Sequence, residues 1–250
     1  MSLYELPINT YVVHAKSGYE YHGERVVQLF KEQNIPFEFV TDGTPELLTP
    51  EIKAKYFRNV FAEKTRPGSL SCSLNHIYAM ERFLESDQKY GLFFEDDPCF
   101  LGNFEEGIKR LFPHIEKLNS NFIISLENTS LTFPSFWQVK KGKLLYEAKR
   151  GRMAGCYLMD RLGVEKTMDF VYEYKCGHLP DWLHNELIDK GVLKMYWAQP
   201  PLIEQGSHNG LLSSSISTKA KSKIRIIKWT VRKFVKMNIS RLFNQKRIID

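Results

Sequence analysis

The run Phe93-Phe94-Glu95-Asp96-Asp97 constrains this chain more than any other stretch of it. Tyr90-Gly91-Leu92-Phe93-Phe94 is continuously apolar, the mark of a strand covered on both faces. Three acids then follow without a spacer, and Pro98 closes the run. Burial penalises an ionised carboxylate, and neighbouring like charges raise one another's pKa. A divalent cation removes both costs. Hard ions such as Mn2+ and Mg2+ prefer carboxylate oxygens and keep few protein ligands, leaving room for a substrate's phosphates. Side chains alternate along extended backbone, so Glu95 and Asp97 share one side and Asp96 takes the other. One face then offers two carboxylates to a metal. A solvated acidic turn is the plainer alternative.

The elements around this run alternate between strand and helix. Ile8 to Val13 reads as a short strand, Tyr21 to Gln33 as a helix with apolar residues at Val26, Val27 and Phe30, and Ile35 to Val40 as a second strand. That strand ends at the turn signature Thr41-Asp42-Gly43-Thr44. In open α/β sheets the carboxyl ends of strands form the ligand-binding edge. Helices are expected over Ser71–Leu84, Phe104–Leu111, Leu162–Tyr172 and Asp181–Lys190. Strands are expected at Phe122–Leu126, Gly155–Met159 and Lys194–Ala198. No internal repeat is present.

Charge is distributed unevenly. The chain has 250 residues and a net charge of +6. From Ser217 to Asp250 it carries eleven Lys/Arg and one acid, which leaves 24 basic and 28 acidic residues before Ser217. A nucleic-acid-binding domain carries its positive charge on the fold, so no nucleic-acid partner is expected. Within the tail Ile224, Ile227, Val231 and Phe234 recur at helical spacing, and Lys228, Arg232 and Lys236 line another side. This is the pattern of a basic amphipathic helix lying on an anionic membrane surface; a disordered or partner-binding tail is the alternative. The division expected is a catalytic domain over 1–216 and a membrane-associating tail over 217–250. No secretion signal and no run approaching the ~18 apolar residues of a spanning helix is visible, so a cytoplasmic protein, peripheral on the inner face of the cell membrane, is expected. Cys72, Cys99, Cys156 and Cys176 form no C-x-x-C pair and read as reduced thiols, with neither a zinc-site spacing nor a disulfide framework.

Several segments together resemble glycosyltransferase family 25, the bacterial lipopolysaccharide glycosyltransferases and collagen galactosyltransferases. That family places Gly-x-x-x-Cys-x-x-Ser-His before a strand ending in Glu-Asp-Asp. Here Gly68, Cys72 and His76 match, followed by Leu92-Phe93-Phe94-Glu95-Asp96-Asp97. Asn75 replaces the usual Ser, Ser69 a Glu and Ser71 a Gly, and Val12-Val13-His14-Ala15 stands where Val-Ile-Asn-Leu is common. Thr41-Asp42-Gly43, Gly155-Cys156-Tyr157-Leu158, Leu179-Pro180-Asp181-Trp182-Leu183 and Pro200-Pro201-Leu202-Ile203-Glu204-Gln205 follow the family's order. The resemblance implies an α/β, GT-A-type nucleotide-sugar-binding fold with a mixed central sheet flanked by helices. It also implies a sugar-nucleotide donor, often UDP-galactose, a glycan or glycolipid acceptor, inversion at the anomeric carbon, and a Mn2+ or Mg2+ cofactor.

Residue roles follow from the resemblance and the chemistry together. Glu95 and Asp97 would hold the metal, which acts as a Lewis acid on the departing diphosphate. His208, in Gln205-Gly206-Ser207-His208-Asn209-Gly210, would complete the metal shell by analogy with related enzymes, and this segment reads as a flexible polar loop. Val13, Asp42, His76 and Asp96 would meet the donor; a satisfied buried histidine is the other reading of His76. Inversion requires a general base for the acceptor hydroxyl. Asp181 after Pro180 is the first candidate and Glu186 the second, while a helix N-cap is the structural reading of Asp181. Two rivals remain at this point. One is a membrane-surface or nucleic-acid binding protein without catalysis. The other is a metal-dependent phosphoesterase, which normally scatters more acids and histidines around two metals.

Overall fold

The computed structural model describes residues 2–212 and 222–243. In chain order its main elements are β1 (Ile8–Val13), α1 (Glu20–Glu32), β2 (Glu38–Val40), α2 (Pro50–Tyr56), α3 (Asn59–Lys64), α4 (Pro67–Leu84), β3 (Tyr90–Glu95) and β4 (Pro98–Phe100). There follow α5 (Phe104–Ile115), β5 (Phe122–Ser125), β6 (Leu145–Ala148), β7 (Cys156–Asp160), α6 (Arg161–Tyr174) and α7 (Pro180–Asp189). The last are β8 (Lys194–Ala198), β9 (Ile203–Gln205), α8 (Gly206–Asn209) and α9 (Lys223–Val235), which runs through a π-turn at Lys236–Ser240 into α10 (Arg241–Phe243).

Seven strands form one mixed sheet in the order β2-β1-β3-β7-β5-β8-β6, and β4 pairs with β9 in a small second sheet. β1 runs parallel to β2 and β3, β5 runs parallel to β8, and β7 lies antiparallel between β3 and β5. The alternation along β3 sorts its side chains into two cores. Phe93 enters the layer built from Leu74, Ile77 and Phe83 of α4 with Val164 and Met168 of α6. Leu92 and Phe94 enter the opposite layer with Val26 and Phe30 of α1 and Phe104 and Ile108 of α5. The sheet is therefore flanked by helices on both faces, and this two-sided burial is why β3 reads as an unbroken apolar run.

Some expectations need correction. The second strand starts at Glu38 rather than Ile35, because Asn34 adopts φ 54° and the Ile35 amide bonds to Phe30 O, which closes α1. Ile35 is buried but is not in the ladder. The segment 205–210 is no flexible loop: Gln205 ends β9, Gly206–Asn209 form α8, and the Gly206 amide donates to Asp97 O at 2.7 Å. The antiparallel pairing of Pro98–Phe100 with Ile203–Gln205 brings it there.

Within the tail, 217–221 and 244–250 lie outside the described residues. The described part, α9, docks on β9 and α8. Arg225 donates to Ser207 O at 2.5 Å, Trp229 Nε1 to Glu204 at 3.2 Å, and Lys233 lies 2.5 Å from the same carboxylate. Arg241 donates to Pro134 O at 2.8 Å. Ile224, Ile227, Val231 and Phe234 are each more than half exposed on the opposite side. Among the described residues, no helix is long and apolar enough to cross a membrane.

Asp160 ties three elements at the far edge of the sheet. It caps α6 through the Gly163 amide (3.2 Å) and accepts from the amides of Phe122 (2.7 Å) and Asn121 (2.8 Å) at the start of β5. Asp160→Ala removes a cap and strands buried donors, so it should cost about 2–3 kcal/mol. Urea denaturation at neutral pH measures this, and Asp160→Asn, which keeps one acceptor oxygen, should lose less.

Candidate active site

The register aligns the carboxyl ends of three parallel strands. Val13 faces Val40 on one side and Glu95 on the other. At this edge opens a cavity of about 250 Å3, lined by the segment Val13–Ser17, by Tyr19, by Thr44–Glu46, by Gly68, Ser71, Cys72 and Asn75 of α4, and by Glu95 and Asp96. Asn75 and Ser71 fix its wall: Asn75 Oδ1 accepts the Gly43 amide at 2.7 Å, and the Ser71 hydroxyl donates to Gly43 O. A Cβ on Gly43 would stand 2.8 Å from Asn75 Oδ1, so this crossing needs glycine.

The three acids diverge. Asp96 turns toward α1, with His14 Nδ1 at 2.6 Å and His22 Nδ1 at 3.4 Å. Burial pushes its pKa up, but the contacts with His14 and His22 outweigh burial and hold it below the ordinary value. Contact with Asp96 in turn raises His22. Glu95 turns the other way. Its Oε2 accepts from Gln205 Nε2 at 2.7 Å, and its Oε1 stands 3.8 Å from His76 Nε2. Burial, then Asp97, Asp96 and Asp181, drive its pKa well up. Asp97 is 4% exposed and accepts the Ser207 amide at 2.9 Å through Oδ2, while Oδ1 is buried with no hydrogen-bond partner. Burial raises its pKa, and the charge of His208 favours its ionised form. Glu95 and Asp97 thus share the side facing β9–α8, as alternation requires. Two acids of raised pKa, Glu95 partly exposed to the cavity and Asp97 buried with one orphaned oxygen, fit a divalent cation, for which carboxylates are the preferred ligands.

Beneath Gln205 lies a buried polar shelf. Glu127 accepts the amides of Gly155 and Cys156, and burial pushes its pKa to about 8. Arg152 is 0% exposed, donates to Ser125 O (3.2 Å) and Ala198 O (2.7 Å), and is lowered by burial to about 9. Gly155 is required for close approach, since a Cβ would meet Gln205 Cγ at 2.4 Å.

Of the residues singled out in the sequence, Val13, Glu95 and Asp96 line the cavity, whereas Asp97 does not: it faces α8, where it accepts the Ser207 amide and feels the charge of His208. His76 is buried behind Glu95, bonded through Nδ1 to Tyr157 Oη at 2.9 Å, and burial lowers its pKa to about 4. Asp42 instead pairs with Arg82 and does not line the cavity. Asp181 is the second residue of α7, not its N-cap, which is Leu179. Burial raises its pKa, and its charge reaches Glu95, Cys72 and His76. Glu186 is held by Arg58 at 2.8 Å and by His178 at 3.7 Å. Sequence reading missed the His14–His22 clamp, Gln205, Glu127 and Arg152. His14 had one visible signal, its departure from the usual residue after the first strand.

The cleft opens at the carboxyl edge of a mixed sheet, the edge where open α/β folds bind ligands, and Glu95 and Asp96 line it. The profile of glycosyltransferase family 25 (LPS biosynthesis protein) matches residues 22–175, more than half of the chain, and the chain belongs to that family. It is 27% identical over 140 residues to the lipooligosaccharide biosynthesis protein lic2B of Haemophilus influenzae, covering 54% of this chain and 49% of that protein. It is 35% identical over 78 residues to a putative glycosyltransferase of Haemophilus influenzae strain ATCC 51907, covering 30% and 27%. The chain thus spans about half the length, or less, of these relatives. A solved glycosyltransferase involved in the glycosylation of the major capsid of PBCV-1 superposes with TM-score 0.47 and 8% identity, over 90% of this chain and 98% of its own.

The buried histidines give the fold an acid-sensitive limb. His184 is 1% exposed against the Tyr157 ring at 4.6 Å, and burial lowers its pKa to about 3. In the unfolded chain it titrates near the ordinary ~6.5. The unfolded state therefore binds the proton first, and the stability this group contributes is full above ~6.5 and lost as pH falls toward the folded value. Each such proton gives a slope of about 1.4 kcal/mol per pH unit. His184→Gln should flatten the stability–pH curve between pH 6 and 4 by roughly one proton's slope, measured by denaturant unfolding at each pH. Unchanged slopes would show that His184 is not neutral in the fold.

Proposed function

We propose that this chain is a metal-dependent inverting glycosyltransferase that moves a hexose, galactose from UDP-galactose, onto a lipopolysaccharide or other cell-surface glycan. The observation that carries the reading is that Glu95 and Asp97 both face the β9–α8 segment at the strand end, with Asp97 Oδ1 buried and unpartnered. Bound to these carboxylates, a Mn2+ or Mg2+ ion supplies Lewis-acid stabilisation of the diphosphate leaving group. Val13 and Tyr19 give the cavity apolar walls for a nucleotide base, and Lys16 supplies a positive charge for the phosphates. Asp96, clamped by His14 and His22, stays ionised and fixed at the cavity edge. The acceptor oxygen attacks the anomeric carbon from the face opposite the nucleotide, the bond to the diphosphate oxygen breaks, and the hydroxyl proton passes to Asp181. A raised carboxyl pKa makes Asp181 a better proton acceptor. Glu186 is engaged by Arg58 and His178, so Asp181 is the better-placed base.

In this reading the protein is cytoplasmic and peripheral on the inner face of the cell membrane. The exposed stripe of Ile224, Ile227, Val231 and Phe234 beside Lys228, Arg232 and Lys236 supports that location. No nucleic acid takes part.

The reading is tested by transfer assays with a panel of sugar nucleotides and Mn2+. Asp97→Ala should weaken Mn2+-dependent donor binding and abolish transfer. Asp181→Asn should lower kcat by about 10²–10⁴ and leave donor affinity within about twofold, because a general base acts in the transition state. Full wild-type activity in chelator would overturn the metal role. A lowered Tm with unchanged turnover per folded Asp181→Asn molecule would reduce Asp181 to a structural residue of the helix start.

The membrane assignment has its own test. Ile227→Glu with Val231→Glu alters only exposed positions and should leave Tm unchanged. Binding to anionic vesicles should fall at least tenfold, and wild-type binding should weaken at 1 M salt, where the Debye length is ~3 Å. Binding indifferent to lipid charge, or unaltered in the double variant, would refute it.

A further inference from the structure

Spacing along the sequence gives the four cysteines no zinc signature, yet the fold assembles one thiol into a ligand set. Cys72 and His76 stand at i and i+4 on α4, so they share a helix face. Glu95 at the end of β3 meets them there, and Sγ, an imidazole nitrogen and a carboxylate oxygen all lie within 4.8 Å of one another. Tetrahedral zinc ligands stand about 3.5 Å apart, given metal–ligand bonds of roughly 2.0–2.3 Å, so closure asks for about an ångström of movement.

The second observation is His76 Nε2. The ring is 2% exposed, its Nε2 has no hydrogen-bond partner, and it faces Glu95 Oε1 at 3.8 Å. Its other nitrogen is fixed by Tyr157 Oη at 2.9 Å, the outer contact that orients a ligating histidine. Glu95 is held in the same manner: Gln205 engages Oε2 at 2.7 Å and leaves Oε1 toward the imidazole. Cys72 and Glu95 both line the cavity, which provides an entry path.

We propose that Cys72, His76 and Glu95 form a site for a thiophilic divalent cation, Zn2+ or its analogues, with the cavity side left open for water or a substrate oxygen. Binding replaces the Cys72 S–H bond with an S–metal bond and releases that proton to solvent. The site uses Glu95 and neither Asp97 nor Asp96, so its ligand set differs from that of the hard-cation site. A thiophilic ion here engages Glu95 and competes with Mn2+ for it. The inference does not depend on the transferase reading, because its readout is a metal–thiolate bond and not turnover.

Titration of the metal-stripped full chain with Co2+ tests it. The expected result is a thiolate-to-cobalt charge-transfer band in the near ultraviolet and intense visible bands of four-coordinate cobalt, saturating at one ion per chain and bleached by Zn2+. Cys72→Ser should lose the charge-transfer band, and Cys99→Ser should keep it. His76→Gln should weaken Co2+ binding at least tenfold, which keeps the test open if Cys72→Ser fails to fold. A saturating titration with only weak octahedral absorption, a band that persists in folded Cys72→Ser, or unchanged affinity in His76→Gln would overturn the site.

Discussion

The mutual repulsion of Glu95, Asp96 and Asp97, set at the end of a strand buried on both faces, is the constraint on which the rest of this structure depends. Like charges on successive residues cannot all be accommodated by one environment. The fold answers each acid separately. Asp96 receives two imidazoles from the β1–α1 side. Glu95 receives a side-chain amide from the end of β9 and faces a buried imidazole of α4. Asp97 receives a backbone amide from α8. Three separate parts of the chain each answer one of these carboxylates, and the parallel register of β1, β2 and β3 brings the strand ends to one edge.

The glycines in the matching segments serve this crowding more than chain flexibility. Gly43 lets the turn after β2 pass against Asn75, and Gly155 lets Gln205 lie over the start of β7 on its way to Glu95. Asn75, which departs from the family's usual serine, uses a longer side chain to span the gap to the Gly43 amide. The buried polar shelf of Glu127 and Arg152 follows the same logic. Glu127 occupies two amides at the start of β7, which have no partner on β3 or β5 at that point.

Much of the fold was legible because burial leaves a pattern. β1 and β8 are read to the residue, and β3 and β5 to within one, since apolar runs bounded by turn residues have few other meanings. The helices α4, α6 and α7 were found for the same reason, with ends shifted by a few residues. β4, β6 and β9 were not. β4 and β9 are three residues each, and β4 opens on a proline; such strands exist only through their partners. The acidic triplet was legible as chemistry because its cost is local. The His14–His22 clamp was not, because the contact joins residues 82 and 74 positions from Asp96. The apolar stripe of α9 was visible from spacing alone. Its docking face was not, because Arg225, Trp229 and Lys233 look like solvent-facing residues until Ser207 and Glu204 are placed beneath them.

That docking has a geometric consequence. Glu204, the anchor for Trp229 and Lys233, immediately precedes Gln205, which holds Glu95. The outward stripe of α9 and the Glu95 end of β3 are thus separated by one strand and a short helix among the described residues. Any surface on which the stripe rests becomes a datum plane, and the standoff and tilt of the cleft above it are set by rigid packing.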